Sequence, residues 1–189
     1  LRWQPDAQGL AAKPPSVWAQ LPGVRGADVN LDMRHDGGQV DVRMGQNSAV
    51  WLPGVLSPAE VPLHKLQASA RWTRLSRSGG DTWQVPAWTL KMANADLQGE
   101  WRGQWQSTPH GPGALTLDGK IDKLNAAAAH RYLPVGLPAS VRDYLRDALV
   151  SGTYSDVNVK IKGDLAKLPF KDPKDGEFRF SRRINDVLF

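Results

Sequence analysis

The chain has 189 residues, a formal net charge of +5 and no cysteine. Its length fits one domain with enough chain to bury a core, and the missing cysteine excludes disulfides, thiolate catalysis and cysteine-ligated metal sites. A content of 16 Asp against 3 Glu, with 18 Gly and 14 Pro, favours strands and turns over long helices. No apolar run approaches the roughly 18 residues that a membrane-spanning helix needs.

The first 25 residues are predicted to form an extended entry segment, because four prolines interrupt them. Residues 26–189 are predicted to form a single β-rich domain. Its first element is a hairpin, since Val29, Leu31 and Met33 alternate with polar residues. Residues 36–38 (Asp-Gly-Gly) supply the turn, and the alternation resumes at Val40.

Further along the chain, prolines and period-two alternation mark the next elements. Residues 51–62 contain three prolines and are predicted to be a loop or an edge segment. Alternation then predicts a strand from Leu66 to Trp72 and another over 83–92, where Pro86 marks a bulge or an edge.

In the segment 95–106, apolar residues and glycines alternate strictly with polar residues, so the two kinds fall on opposite faces. One face consists of Leu97, Gly99, Trp101, Gly103 and Trp105, and the other is polar or charged. This pattern is typical of an antiparallel strand with one buried or ligand-facing side and one wet side. The glycines leave room for neighbouring rings or for a molecule laid across the sheet.

A short helical insert is predicted around residues 125–150. Asn125 is an N-cap candidate for one or two turns reaching His130, and apolar residues recur at helical spacing over 141–149. Amphipathic strands are predicted at 115–121, 157–161 and 178–180. The predicted fold class is therefore mainly β, a curved, largely antiparallel sheet of eight to ten strands that forms a groove or half-barrel.

No catalytic or metal site is predicted. The histidines at 35, 64, 110 and 130 have no metal-ligand spacing, and hydrolase, dinucleotide and phosphate-loop motifs are missing. The pair Asp118 and Asp122 falls on the polar side of a strand, and Asp143 and Asp147 alternate with arginines, so both pairs fit solvated charge. We therefore expect no enzymatic activity, no metal and no cofactor.

The positive charge keeps single-stranded nucleic-acid binding as a minority hypothesis. Tryptophans can stack on bases, and Lys65, Arg71, Arg74 and Arg77 form a stretch without an acidic residue. Acidic and basic side chains are mixed elsewhere, so no long stripe of one sign emerges. No nucleic-acid partner is expected.

The eight tryptophans have two competing explanations. Packing within the sheet is the simpler, and it makes the chain a structural or protein-interaction module with a closed Trp-rich core. The alternative is an apolar groove, because one helix of about four turns cannot cover eight or more strands. An uncovered apolar face must dimerise, take up a ligand or meet an apolar partner.

Several motifs resemble those of the YhdP family. They are Arg131-Tyr132-Leu133-Pro134, the helical stretch 141–149 (VRDYLRDAL), Gly152, Gly163-Asp164-Leu165, Leu168-Pro169-Phe170 and Gly176-Glu177-Phe178. The stretch 88–96 (WTLKMANAD) is similar to the family's repeated segment of strand, Asn, small residue and strand. The resemblance spans roughly residues 26–189.

This resemblance implies an AsmA-like protein of Gram-negative bacteria, related in architecture to TamB and to eukaryotic bridge-like lipid transfer proteins. It implies a long protein, anchored in the inner membrane, whose periplasmic β-groove carries phospholipid toward the outer membrane and supports its permeability barrier. The chain would be an internal segment that contacts neighbouring segments of the same long chain. Membrane association would reside in parts not present here, and phospholipid acyl chains would be the ligand.

Ten apolar residues are the predicted lining of this groove, because each lies on the apolar side of a predicted strand. They are Leu66, Trp72, Leu97, Trp101, Trp105, Leu115, Leu117, Val157, Val159 and Ile161. Each is about as compatible with ordinary core packing. The face of segment 95–106 ranks first.

Overall fold

A computed structural model describes residues 21–77, 80–108, 111–133, 135, 142–143, 152–168 and 170–182. Strands account for most of these residues. They are β1 (Gly23–Arg34), β2 (Gly37–Trp51), β3 (Glu60–Leu63), β4 (Lys65–Arg77), β5 (Gly80–Ala93), β6 (Leu97–Thr108), β7 (Gly111–Asn125), β8 (Thr153–Tyr154), β9 (Val157–Asp164) and β10 (Gly176–Arg182).

All the described strands belong to one antiparallel sheet. Eight main strands follow one another across it in the order β1, β2, β4, β5, β6, β7, β9, β10, while β3 pairs with β2 and β8 pairs with β7. Because pairing is antiparallel throughout, short connections can join successive strands. The sheet is open and curled. The predicted fold class, a curved and largely antiparallel sheet, is confirmed.

The middle of the sheet contains a bulge on β5. Its pairing with β4 shifts between Arg71 and Thr73, and its pairing with β6 shifts between Val85 and Trp88. Both shifts surround Pro86, which has no N–H to donate to a ladder. Since a bulge bends the strand and increases its twist, the predicted bulge at Pro86 is confirmed and contributes to the curl.

The helical insert begins as predicted, with Asn125 as its N-cap. The Asn125 side-chain oxygen accepts a hydrogen bond from the Ala127 N–H at 3.2 Å, and a 3₁₀ helix runs over Ala126–Tyr132. The predicted helix over 141–149 lies outside the described residues except for 142 and 143, which are helical. The predicted entry segment lies outside them up to residue 20, and β1 begins at Gly23.

Buried apolar side chains concentrate at one end of the sheet. One cluster contains Leu97, Ile121, Leu124 and Val157 of the sheet with Ala126 and Ala129 of the 3₁₀ helix. A second contains Met44 of β2 with Val61 and Leu63 of β3. We call this the covered end, because the 3₁₀ helix and β3 pack there against the main strands.

A polar cluster attaches the 3₁₀ helix to the covered end. Asn94 Nδ2 donates to the Tyr132 hydroxyl at 2.9 Å, and Arg131 forms an ion pair with Asp96 at 3.2 Å. Asn94 Oδ1 accepts from the backbone N–H groups of Asp96 and Leu97, which closes the turn between β5 and β6. Burial raises the pKa of Tyr132, so its hydroxyl stays protonated at neutral pH. The motifs at 88–96 and 131–134 are therefore in direct contact.

Candidate functional site

One face of the sheet is apolar across its whole width. The register places apolar residues and glycines side by side in three rows that cross the strands. The row nearest the covered end contains Ala27, Met44, Leu66, Met92, Gly99, Ile121 and Val157 on the first seven main strands, and Arg182 takes its position on β10. The middle row contains Val29, Val42, Ala68, Leu90, Trp101, Gly119, Val159 and Phe180, and the outer row contains Leu31, Val40, Ala70, Trp88, Gly103, Leu117, Ile161 and Phe178.

These three rows form what we call the apolar face. The apolar face extends further along four strands, since side chains two residues apart share a face. The residues that extend it are Trp72, Leu97, Trp105 and Leu115. The middle and outer rows cross all eight main strands without a polar side chain. A surface of this composition offers burial to apolar groups, and its side-chain hydrogen-bond donors are the indole N–H groups of its tryptophans.

Along β1 the exposed fraction of the apolar face increases away from the covered end, from 48% at Val29 to 68% at Met33. Met44 is 5% exposed and Val157 0%, whereas Leu31 is 54% and Met33 68% exposed. The middle row is exposed at both edges of the sheet, at Val29 and Phe180. The face is therefore closed at one end by the chain itself and accessible at the other along β1, whereas at the far end of β9 and β10 the buried Phe170 packs against Gly163 and Gly176.

Four tryptophans of the apolar face lie against glycines of a neighbouring strand. The pairs are Trp101 with Gly119, Trp88 with Gly103, Trp72 with Gly38 and Trp105 with Gly113. A Cβ at Gly103 would lie 2.7 Å from Trp88 Cζ2, closer than such atoms approach in proteins. Each glycine therefore provides the space that the indole occupies. The sequence left two explanations for the glycines, room for neighbouring rings or room for a molecule laid across the sheet. The structure shows the first, because rings of the same chain occupy the space.

The opposite face carries rows of polar and charged residues in the same register. Lys91 and Glu100 form a cross-strand ion pair at 2.8 Å, and Lys160 and Glu177 form another at 3.2 Å. The hydrogen bond between Lys91 and Glu100 raises the pKa of the lysine and lowers the pKa of the carboxyl group, so both stay charged at neutral pH. This is the wet side of the sheet.

A cavity of about 660 Å³ opens on the polar face. Its cations are Lys91, Arg102, Lys120, Lys160 and Arg179. The three lysines form ion pairs with Glu100, Asp122 and Glu177. Because these carboxylates neutralise most of the positive charge, the cavity is a poor candidate for binding a polyanion.

All ten predicted lining residues lie on the apolar face, but in two environments. Leu97 and Val157 are buried in the first cluster, Trp101 and Val159 pack against it, and Leu66 packs against the second. At these five positions the face adjoins the chain's own core. The other five are half-buried outside the two clusters, and they are Trp72, Trp105, Leu115, Leu117 and Ile161.

Sequence reasoning missed the contributions of β1, β2, β5 and β10 to the apolar face. Val42, Trp88, Leu90 and Phe180 lie in the same rows as predicted residues. Their period-two alternation was visible in the sequence. The register between strands, which shows that the alternating faces join, was the missing information.

The other groups considered from the sequence form no candidate metal site among the described residues. No group of three or more His, Asp or Glu in these ranges is arranged to hold a metal ion. Asp122 forms an ion pair with Lys120 at 3.3 Å, and Asp147 lies outside the described residues. The predicted basic stretch is divided, because the alternation along β4 puts Arg71 on the polar face and Arg74 on the other.

Comparison with known proteins identifies a family. The family model described as YhdP protein matches residues 1–189, which is the whole chain. Neither a curated protein nor a solved structure matches significantly. Within the part of the chain that the structure describes, no helix is long and apolar enough to cross a membrane. The chain belongs to the YhdP family of bacterial envelope proteins of the AsmA-like type.

Proposed function

We propose that this chain binds phospholipid acyl chains on the apolar face and lets them pass along it. It acts as a non-enzymatic segment of a periplasmic protein, anchored in the inner membrane, that carries phospholipid toward the outer membrane and supports its permeability barrier. The continuity of the middle and outer rows across all eight main strands supports this proposal most strongly.

Acyl chains gain free energy on such a surface without being fixed in place. Each CH₂ group removed from water contributes about 0.8 kcal/mol. The side-chain hydrogen-bond donors of these rows are the indole N–H groups of Trp88 and Trp101, which an acyl chain cannot use. A chain that shifts by one strand therefore exchanges one set of apolar contacts for a similar set. Binding without a fixed position is the property that passage along the sheet requires.

The covered end favours a second candidate, a structural or protein-interaction module with a closed Trp-rich core. Two buried clusters already fill that end, and Val157 is completely buried there. Both candidates predict a stable sheet. They differ in whether the accessible part of the apolar face takes up lipid.

Photo-crosslinking in cells with ³²P-labelled phospholipids separates the two candidates. Benzoylphenylalanine is introduced at Leu90 or Val159 on the apolar face, and at Lys91 or Lys160, the next residues, on the polar face. Lipid transport predicts labelled adducts at 90 and 159 and none at 91 and 160. Equal labelling on both faces, or no labelling anywhere, contradicts the proposal.

A charge placed in the middle row provides an independent test. We expect phospholipid to copurify with the unmodified chain in native mass spectrometry, and Trp101→Glu should abolish this binding, because a carboxylate in an apolar row is costly to desolvate. Arg102→Glu introduces the same side chain one residue later on the polar face and should leave the bound lipid unchanged. Far-UV circular dichroism verifies that both variants retain the sheet.

A further inference from the structure

A charged pair lies where the apolar face ends. Arg74 Nη1 on β4 is 3.4 Å from Asp81 Oδ2 on β5, and Ser76 Oγ is 2.8 Å from the other carboxylate oxygen of Asp81. Arg74 follows Trp72 by two residues and pairs across the strands with Trp83. Its side chain therefore leaves the sheet on the same side as the apolar face.

This placement is unusual for a basic residue of this chain. Among the described side chains of the eight main strands, Arg74 is the one Lys or Arg on this side near the accessible end, while the register places Arg182 on the same side at the covered end, opposite Val157. Trp83, its cross-strand partner, is 39% exposed. A cation beside an exposed aromatic ring, at the accessible end of an apolar surface, has the composition of a site for an amphipathic anion.

The ion pair leaves Arg74 able to bind a second anion. The side chains of Arg74 and Asp81 are 35% and 47% exposed, and exposed pairs of this kind are weak. A guanidinium has five N–H donors in a planar fork, of which one carboxylate engages at most two. Phosphate oxygens fit the remaining donors.

The distance along β4 suits a lipid with its phosphate at Arg74. Ala68 and Arg74 are six residues apart, which corresponds to about 20 Å of strand. An acyl chain in a bilayer spans about 15 Å, half of the hydrocarbon thickness. The chain of such a lipid would end before the row at Leu66, where the face is covered.

We propose that Arg74 binds the phosphate group of a phospholipid whose acyl chain lies on the apolar face. Asp81 competes with the phosphate for the guanidinium and keeps this binding weak and reversible, as passage requires. The inference rests on the proposed function and adds to it a headgroup contact. It makes Arg74 a specificity-determining residue that selects lipids with a phosphate over lipids without one.

The test compares two fluorescent lipids with identical acyl chains, phosphatidylglycerol and diacylglycerol, in binding to the purified chain. We expect the unmodified chain to prefer phosphatidylglycerol, and Arg74→Gln to reduce this preference about fivefold while diacylglycerol binding is unchanged. Asp81→Asn should strengthen phosphatidylglycerol binding, and Arg74→Lys should restore part of the preference. Arg71→Gln, on the same strand and the opposite face, should change neither lipid.

The outcomes separate the inference from the proposed function. If both lipids bind and Arg74→Gln and Asp81→Asn leave the preference unaltered, Arg74 does not contact phosphate, although the apolar face still binds lipid. If millimolar inorganic phosphate displaces phosphatidylglycerol, the site takes free anions and the inference is wrong. If neither lipid binds the unmodified chain, the proposed function itself fails. Because Asp81→Asn should increase affinity, misfolding cannot produce the expected result.

Discussion

Replacing Gly119 with alanine should displace the indole of Trp101 from its place on the sheet. A Cβ at position 119 would lie 2.7 Å from Trp101 Nε1 and 3.3 Å from Trp101 Cγ. These atoms belong to the five-membered ring, close to the point where the indole joins its own Cβ. A small rotation of the far end of the ring cannot relieve the contact, so the whole indole must leave its rotamer or β6 and β7 must separate.

The expected cost combines two opposing effects. Overpacking of this kind costs about 1–3 kcal/mol. Alanine is favoured over glycine in a strand by about 0.5–1 kcal/mol, because glycine loses more conformational entropy on folding. The free energy of unfolding of Gly119→Ala should therefore fall by up to about 2.5 kcal/mol, which lowers the melting temperature of a chain of this length by up to several degrees.

Thermal and urea unfolding, followed by tryptophan fluorescence, measure this change. Gly45→Ala on β2 is the matched control, because no heavy atom lies within 4 Å of the position its Cβ would take. It should leave the midpoint unchanged or raise it. In a Trp101→Leu background the cost of Gly119→Ala should disappear. An equal effect of the two glycine substitutions, or a cost that persists without Trp101, would refute the reasoning.

Three further predictions concern the covered end and its attachment. Leu63→Ala should cost about 2–5 kcal/mol in urea unfolding, because Leu63 is 2% exposed, whereas Met33→Ala, at 68% exposure, should change the free energy by less than about 0.5 kcal/mol. Tyr132→Phe removes the hydrogen bond with Asn94 and should cost about 0.5–1.5 kcal/mol. Because folding raises the pKa of Tyr132 above 10.0, its contribution is complete below pH 10 and is lost above it, so Tyr132→Phe should make the alkaline loss of stability shallower in pH-dependent unfolding.

The individual strands were predictable because each carries its own signal in the sequence. The alternation from Leu97 to Trp105 and from Val157 to Ile161 depends only on neighbouring residues, and both segments form strands. Pro86 and Asn125 act through the backbone groups next to them, as a missing N–H and a capping oxygen. Local chemistry of this kind is independent of the rest of the fold.

The division of the apolar face into covered and accessible parts was not predictable. Leu97 and Trp101 belong to the same alternation on β6, yet Leu97 is buried and Trp101 is half-buried. The difference arises because the 3₁₀ helix, which follows β7, packs back over Leu97. Such a contact joins segments that are distant in sequence, and period-two alternation contains no information about it.

The pairing of tryptophan with glycine reconciles the two explanations of the tryptophans. An indole that lies over a glycine fills the space above it and so packs within the sheet. Because the largest side chain lies beside the smallest, the surface that results is also flatter. The middle row remains apolar from Val29 to Phe180, which are 48% and 37% exposed, over a width of about 34 Å at about 4.8 Å per strand. A protein partner covering this width would need an equally long apolar surface. Several acyl chains lying side by side can cover the middle row without forming a hydrogen bond. For this reason we favour lipid over a protein partner on the accessible part of the apolar face.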